Sequence, residues 1–482
     1  MLVIYFDSLL LISNSQLMSI KNKTLLSVLF IVMLAEQLSA QGTASVKYSD
    51  SPVNDELKNW FKPLEHTDPD FLKKQQVSPT PMPIISKPEY VVLHYNKETY
   101  CGHPRMINFK YFPPNEIIVG HFHAPSKYTE YADVRHISYQ SRSVCMLQRS
   151  TDMGKTWPAK NDLVLFDNKM SKEKKEALAN RKNTSPENYN MFDNDAAFFF
   201  ANTMQYPIDS TFMPEVLAYR SHDRGRTWKE QPYKIYAPGI DSETIITKQN
   251  TPIITMPDGK TLLGSFWISH RLRSEAGAKY SDGSAIFYSK DQGLTWHFLS
   301  RPARDRSGDG MFIYETLFLA QNGDLHFYSI HLSNNGFNVE GMKNAITLCI
   351  SKDGGKTWTD PEPITGKGSE AWGTFDDSKV NYKVMYRAPW PIQLKDGRIL
   401  LVFTRRKMQA GIGGIISSDG GKTWSKEFII RSGAEWWDLG YPVGTQLSDG
   451  RIFVAYYFNK QDGNGQGGTR FIESAFFKID QK

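Results

Sequence analysis

Five copies of one eight-residue pattern run along this 482-residue chain and restrict its fold more than any other feature. In the pattern Ser-x-Asp-x-Gly-x-Thr-Trp, we expect the aspartate to accept backbone N–H groups and the glycine to supply a permissive backbone angle. The tryptophan is expected to pack at the base of a hairpin. Successive aspartates lie 71, 68, 62 and 66 residues apart, which predicts a protein built from one repeated supersecondary unit. The copies are Ser150–Trp157, Ser221–Trp228, Ser289–Trp296, Ser351–Trp358 and Ser417–Trp424.

The pattern resembles the Asp box of sialidases and related propellers. This resemblance implies an all-β fold, a single β-propeller of four-stranded antiparallel blades, with each box joining a third strand to a fourth. Turns such as the one at residues 395–398 (Lys-Asp-Gly-Arg) fit the connection between first and second strands. The last blade lacks an outer strand, which we expect residues 89–95 to supply and so close the ring. Six blades can be traced in the sequence, beginning near residues 103, 190, 250, 312, 385 and 440.

The N-terminal region has the pattern of a secretion signal. Lys21 and Lys23 precede an apolar stretch, Leu25–Leu34, and small residues lead to a cleavage site near Ala40. We therefore expect a secreted or periplasmic protein. No later stretch has the ~20 apolar residues of a membrane span. The predicted divisions are residues 1–40 as a signal peptide region, 41–85 as an extended N-terminal lead-in, and 86–482 as the β-propeller catalytic domain.

Charge and cysteine content narrow the expected partners. The net charge of +6 favours an anionic polysaccharide as substrate, and we expect neither a nucleic-acid partner nor a membrane span. Cys101, Cys145 and Cys349 are too few for a disulfide framework. We expect a monomer that requires no cofactor. A structural metal ion stays open, and Cys349 facing His326 across a hairpin would form half of a zinc site.

The direction of the Asp boxes indicates where function lies. If the boxes mark one end of the propeller, first strands begin and second strands end at the opposite end, where functional loops gather. In the first blade His103 precedes the first strand, and period-two alternation places His121 and His123 on one face of the second. Residues of later blades that reach the same opening are His270, Arg271, Tyr280 and Arg387.

Histidine, tyrosine and arginine together suit the β-elimination of a uronate-containing polysaccharide. An arginine or a neutral histidine neutralises the carboxylate, a histidine or tyrosine takes the C5 proton, and a tyrosine or histidine protonates the leaving oxygen. The segments Gly102–Arg105 and Gly120–Pro125 resemble those of the propeller-type ulvan lyases of polysaccharide lyase family 25. That resemblance implies seven blades and a secreted lyase acting on a sulfated, uronate-rich algal polysaccharide.

The same resemblance suggests roles for individual residues. His103 and His123, 20 residues apart, would be the two active-site histidines. Arg271 and Tyr280 would complete the catalytic set, with Tyr189 as the alternative tyrosine. The predicted substrate-binding residues are Arg105, His121, Tyr189, His270 and Arg387.

Two other functions stay open on sequence alone. A sialidase-like exo-glycoside hydrolase would need a Phe-Arg-Ile-Pro motif, which is absent, although Arg105, Arg271 and Arg387 could form an arginine triad with Glu315 and Tyr441 as a pair. A non-catalytic propeller would bind glycans and leave their length unchanged.

Overall fold

The computed structural model describes residues 80–134, 142–171, 173–174, 177, 190–201, 217–228, 233–234, 244–249, 252–270, 283–303, 310–333, 345–365, 384–407 and 410–480. Across these ranges the regular structure is β-strand apart from short helical segments, and the strands form six antiparallel sheets. Five of the sheets have four or more strands, and the sheet between residues 197 and 234 shows three. The predicted all-β propeller of four-stranded blades is confirmed. No helix in the described part of the chain is long and apolar enough to cross a membrane.

The strands follow the chain in order, so that each sheet is a meander. The first sheet contains β2 (Thr99–Gly102), β3 (Phe109–Phe112), β4 (Glu116–Pro125), β5 (Val144–Ser150) and β6 (Leu163–Asp167), with a short helix α1 (Pro104–Ile107) between β2 and β3. The second contains β7 (Ala197–Ala201), β8 (Leu217–Ser221) and β9 (Tyr233–Lys234). The third contains β10 (Thr244–Gln249), β11 (Ile254–Thr255), β12 (Leu262–His270), β13 (Gly283–Ser289) and β14 (His297–Ser300).

The other three sheets have four strands each. The fourth contains β15 (Gly310–Leu319), β16 (Leu325–Ser333), β17 (Ile346–Ser351) and β18 (Glu362–Pro363). The fifth contains β19 (Val384–Gln393), β20 (Ile399–Lys407), β21 (Gly411–Ser417) and β22 (Phe428–Arg431). The sixth contains β23 (Gly440–Gln446), β24 (Ile452–Lys460), β25 (Thr469–Phe477) and, outermost, β1 (Glu89–His94).

The pairing of β1 closes the ring as predicted. This strand lies at the start of the propeller, and it pairs antiparallel with β25 at the end of the chain. An isolated bridge between Ile85 and Ile479 extends the contact. The last sheet therefore gains its outer strand from residues that precede the first sheet. The backbone hydrogen bonds of an otherwise exposed edge are satisfied in this way.

The Asp boxes act as rigid turns between third and fourth strands, as expected. In the fourth sheet, Thr357 donates backbone and side-chain hydrogen bonds to Asp353, at 2.9 and 2.6 Å. Ser351 donates to the same carboxylate at 2.8 Å and accepts the N–H of Gly355 at 2.9 Å. The Trp358 indole donates to the Gly355 carbonyl at 3.1 Å. Four of the boxes follow the third strand of their sheet, and the box of the second sheet follows β8, which pairs with both β7 and β9.

The blade count implied by the ulvan lyase resemblance is wrong, because the residues that the structure describes form six sheets that close the ring. Each of these sheets contacts the next, and the sixth contacts the first. The six interfaces are represented by Arg149–Arg224, Phe198–Trp296, Ser300–Gly355, Thr316–Pro389, Trp390–Gly444 and Tyr111–Ser448.

Candidate active site

The innermost strands of four sheets share a backbone irregularity near the end opposite the Asp boxes. Pairing with the second strand shifts within β15, β19 and β23, and α1 interrupts the first sheet at the corresponding place. A bulge redirects side chains, and a non-glycine residue in the left-handed region is strained and common at functional sites. Each of these four irregularities includes a non-glycine residue in the left-handed region, namely His103 (φ 58°), Tyr314 (55°), Ala388 (51°) and Tyr441 (51°).

Three of these residues bring aromatic rings together. The His103 ring lies 4.4 Å from the Tyr441 ring and 4.7 Å from the Tyr457 ring, measured between centroids. Tyr314 lies 5.5 Å from Tyr441 in an edge-to-face arrangement. His103, Tyr441 and Tyr457 are buried, although they come from the first and sixth sheets. The bulged strands therefore build one cluster from different blades.

Three buried arginines surround this aromatic cluster. The Arg387 guanidinium lies 5.6 Å from the Tyr314 ring, and the Arg406 guanidinium lies 5.9 Å from the Tyr441 ring. Arg105 donates hydrogen bonds to the hydroxyl of Thr316 and to the carbonyl of Glu315. We call Arg105, Arg387 and Arg406, with Tyr314 and Tyr441, the central cluster.

The electrostatics of the central cluster favour an anionic ligand. Burial lowers the pKa of Arg105 to about 10, against the opposing effect of Glu315, so Arg105 stays charged at neutral pH. Burial would lower the pKa of Arg406, but Tyr457 and Tyr441 raise it. Nη1 of Arg105 and Nε of Arg406 are buried and make no hydrogen bond to any residue the structure describes. Buried N–H donors of this kind can serve an anion.

A second network holds the Tyr457 hydroxyl in place. Tyr457 donates to Asp438 at 2.6 Å and accepts from Nη2 of Arg406 at 3.2 Å. Its oxygen lies 3.5 Å from Nε2 of His103. Arg470 also donates to Asp438, at 3.1 Å, so this carboxylate is anchored from two sides. The network fixes a histidine and a phenol beside the three arginines.

His103 and His123 make different ring contacts. The His103 ring lies 6.3 Å from the ring of Phe122, measured between centroids, and Phe122 alternates with His121 and His123 along β4. The His123 ring lies 4.9 Å from the ring of His94. Burial lowers the pKa of His121 to about 3 and that of His123 to about 4, so both are neutral at pH 7. The pairing of His103 with His123 as active-site histidines stays a prediction.

The sequence profile of the BNR repeat-like domain matches residues 208–454, which is more than half of the chain. The chain belongs to this family. The match confirms the propeller relationship predicted from the Asp boxes, and the family description names no substrate. No match to the sequence is found among curated proteins.

Solved structures share the BNR propeller fold at low sequence identity. A Dyadobacter fermentans protein of unknown function superposes with a TM-score of 0.59 at 20% identity, covering 83% of this chain and all of that one. A Hadza microbial sialidase gives a TM-score of 0.49 at 18% identity, covering 79% of this chain and 66% of that one. An α-L-arabinanase from Penicillium chrysogenum gives 0.49 at 12% identity, covering 81% and 98%. At 20% identity, the similarity to the Dyadobacter fermentans protein supports the fold alone.

The BNR propeller brings together only some of the residues singled out from sequence. Arg105, Arg387 and His103 meet in or beside the central cluster, and His270 ends β12. Arg271, Tyr280 and Tyr189 lie outside the described residues. Cys349 pairs with Phe327 in the register, and period-two alternation places it on the opposite face of the fourth sheet from His326. The expected half zinc site is therefore not formed.

Sequence reasoning left Tyr314, Tyr457 and Asp438 out of the predicted site. One signal was available, because proline follows the left-handed residue in the first strands of three BNR blades. The tripeptides are Gly102-His103-Pro104, Arg387-Ala388-Pro389 and Gly440-Tyr441-Pro442. Aligning them would have placed His103 and Tyr441 at equivalent positions. No comparable sequence pattern identifies Asp438 or Tyr457, because their contacts form only when the sixth sheet packs against the first.

Proposed function

We propose that this protein cleaves a glycan whose sugar carries a carboxylate, and that the central cluster binds that carboxylate. The observation that supports this most strongly is the convergence of Arg105, Arg387 and Arg406 on two tyrosines, of which Tyr441 is buried and Tyr314 is partly buried. Guanidinium groups recognise carboxylates through paired N–H donors, and aromatic rings suit the apolar faces of sugars. Arg105 and Arg406 each present a buried N–H without a partner among the described residues.

Hydrolysis is the reaction that we propose first. Some glycosidases that act on acidic sugars use a tyrosine as the nucleophile. Tyr441 lies close to the arginines. Electrostatic interactions with Glu315 and with Tyr441 raise the pKa of Arg105, against the effect of burial. Glu315 would take the proton of the phenol as the phenolic oxygen attacks the anomeric carbon, and water would protonate the leaving oxygen as the glycosidic bond breaks. A second water would then hydrolyse the sugar–tyrosine bond, and its proton would restore the phenol. The tetrapeptide Tyr386-Arg387-Ala388-Pro389 keeps the aromatic, arginine and proline positions of the Phe-Arg-Ile-Pro motif.

Elimination is the second candidate, and the contact between His103 and Tyr457 favours it. With 3.5 Å between Nε2 and the phenolic oxygen, the two groups could share proton transfer at one sugar. The arginines would neutralise a uronate, His103 would take the C5 proton, and a tyrosine would protonate the leaving O4. The substrate would then be a uronate polysaccharide such as ulvan, and His103 would act without His123.

Product mass decides between the two reactions. The purified protein is incubated with ulvan, chondroitin, alginate and sialylated glycans, while ultraviolet absorbance and product masses are recorded against samples without protein. We expect one glycan to give products whose summed mass exceeds that of the substrate by one water, with no new absorbance. Rising absorbance with unchanged summed mass would assign elimination instead. Saturable binding without any cleavage would overturn the enzymatic proposal.

A further inference from the structure

A second cluster of reactive side chains lies where β1 meets the first sheet. His94, Cys101 and His123 each direct one ligand atom into it, and these atoms lie within 4.8 Å of one another. The Cys101 sulfur is 3.5 Å from Nδ1 of His123. The rings of His94 and His123 are 4.9 Å apart in an edge-to-face arrangement. We call these three residues the closure cluster.

The two histidines of the closure cluster are neutral at pH 7, which is the form of imidazole that binds a metal ion. Burial lowers the pKa of both His94 and His123, so neutral rings with free lone pairs are present at pH 7. Nε2 of His94 is buried and has no hydrogen bond to a described residue. Burial also raises the pKa of the Cys101 thiol, to about 12, and a bound cation would reverse that shift by stabilising the thiolate.

A nearby carboxyl group adds to the attraction for a cation. Asp162 acts electrostatically on Cys101, and its buried Oδ1 has no hydrogen bond among the described residues. Burial raises the pKa of Asp162 to about 6. A divalent ion would offset the cost of keeping this carboxylate charged in a partly buried place. The thiolate and the carboxylate together would balance the charge of a dication.

We propose that the closure cluster binds one zinc ion through His94, Cys101 and His123. Two imidazoles and one thiolate form a borderline-soft set that suits zinc better than calcium or magnesium. Zinc bonds of 2.0–2.3 Å in a tetrahedron place ligand atoms about 3.3–3.8 Å apart. The distance between Cys101 and His123 already fits, and His94 needs only a small side-chain rotation. A water molecule would take the fourth position.

The position of the cluster in the fold indicates a structural role for the zinc. His94 is the last residue of β1, the strand that closes the ring on the sixth sheet. Cys101 and His123 are direct partners in the register of β2 and β4 in the first sheet. The ion would therefore tie the closing strand to the first blade. Its binding free energy would add to the stability of the closed ring.

The test measures metal in the full chain rather than activity. We expect purified wild-type protein to hold about one zinc per chain, and the stripped protein to gain a thiolate-to-metal absorption band when titrated with Co²⁺ alone. Cys101→Ser should lose the band and bind zinc at least about 100-fold more weakly. The matched control is Cys145→Ser, because Cys145 is a buried thiol opposite Phe122 on β5. It should keep both the band and the zinc.

Thermal unfolding gives an independent measurement. Zinc should raise the Tm of the stripped wild type and of Cys145→Ser, and should leave the Tm of Cys101→Ser unchanged. The titration of stripped wild type keeps the proposal testable if Cys101→Ser does not fold. Wild type that binds neither zinc nor Co²⁺, or that gives no thiolate band, would overturn the proposal and leave a buried cluster without a metal.

Discussion

Replacing Tyr441 with phenylalanine is expected to lower kcat on the cleaved glycan about 10³-fold, within the range for losing a proton-transfer group or a nucleophile. The ring would stay packed against His103 and Tyr314, so KM and Tm should change little. Burial raises the pKa of Tyr441, and the charge of Arg406 opposes that shift. The hydroxyl therefore needs a base before it can attack. The measurement is steady-state kinetics of the variant on the same glycan.

Two further tyrosine variants make this result interpretable. Tyr328 is a buried tyrosine of the fourth sheet whose hydroxyl lies 2.9 Å from His326. Tyr328→Phe removes a buried hydroxyl outside the central cluster, and should change kcat by less than about twofold. Tyr457→Phe distinguishes the two reactions. This variant should lose activity if the reaction is elimination, which uses the Tyr457 hydroxyl with His103, and should keep activity if the reaction is hydrolysis through Tyr441.

A Tyr441→Phe variant with wild-type kcat would remove Tyr441 from the mechanism.

Arg387→Lys is expected to lower kcat/KM on the acidic glycan by about 10²–10³-fold, although the charge is kept. The planar guanidinium donates to the Tyr386 carbonyl at 2.6 Å and lies against the Tyr314 ring. Lysine cannot donate to a main-chain carbonyl and to a ligand carboxylate in one fixed plane. The loss should appear mainly in KM if the arginine binds ground state and transition state equally. Kinetics at several glycan concentrations separate the two parameters.

Arg398→Lys is the matched control for the arginine variant. Arg398 lies in the hairpin at the Asp-box end of the same sheet and pairs with Asp396 at 2.6 Å. Its replacement by lysine should change kcat/KM by less than about twofold. An equal loss in both variants would show that the effect comes from folding and not from carboxylate recognition.

The fold could be predicted because its information is local and repeated. Each Asp box contains its own hydrogen-bond set, as in Ser351–Trp358, so five copies predict five third-to-fourth strand turns. The pairing of β1 with β25 was also predictable, because the last repeat lacked an outer strand. The number of blades could not be predicted by dividing the chain length by an average blade length. That division assigns to strands the residues that lie in long connections.

The site was predictable only in part, because it depends on contacts between distant residues. The opening opposite the Asp boxes was identified, and Arg105, Arg387 and His103 were found from their positions next to first strands. The pairing of His103 with His123 as catalytic residues stays a prediction, and the structure shows His103 in the left-handed region just before α1, with its ring 6.3 Å from that of Phe122. Tyr457 meets His103 only because the sixth sheet packs against the first.

The most direct test of carboxylate recognition compares one glycan before and after its carboxyl groups are reduced to alcohols. The glycan is the one cleaved in the panel, and a mock-treated sample is the control. Because the arginines hold the carboxylate in both candidate reactions, we predict that wild type cleaves the reduced glycan at least about 100-fold more slowly. Equal rates on the two glycans would contradict the proposed role of Arg105, Arg387 and Arg406.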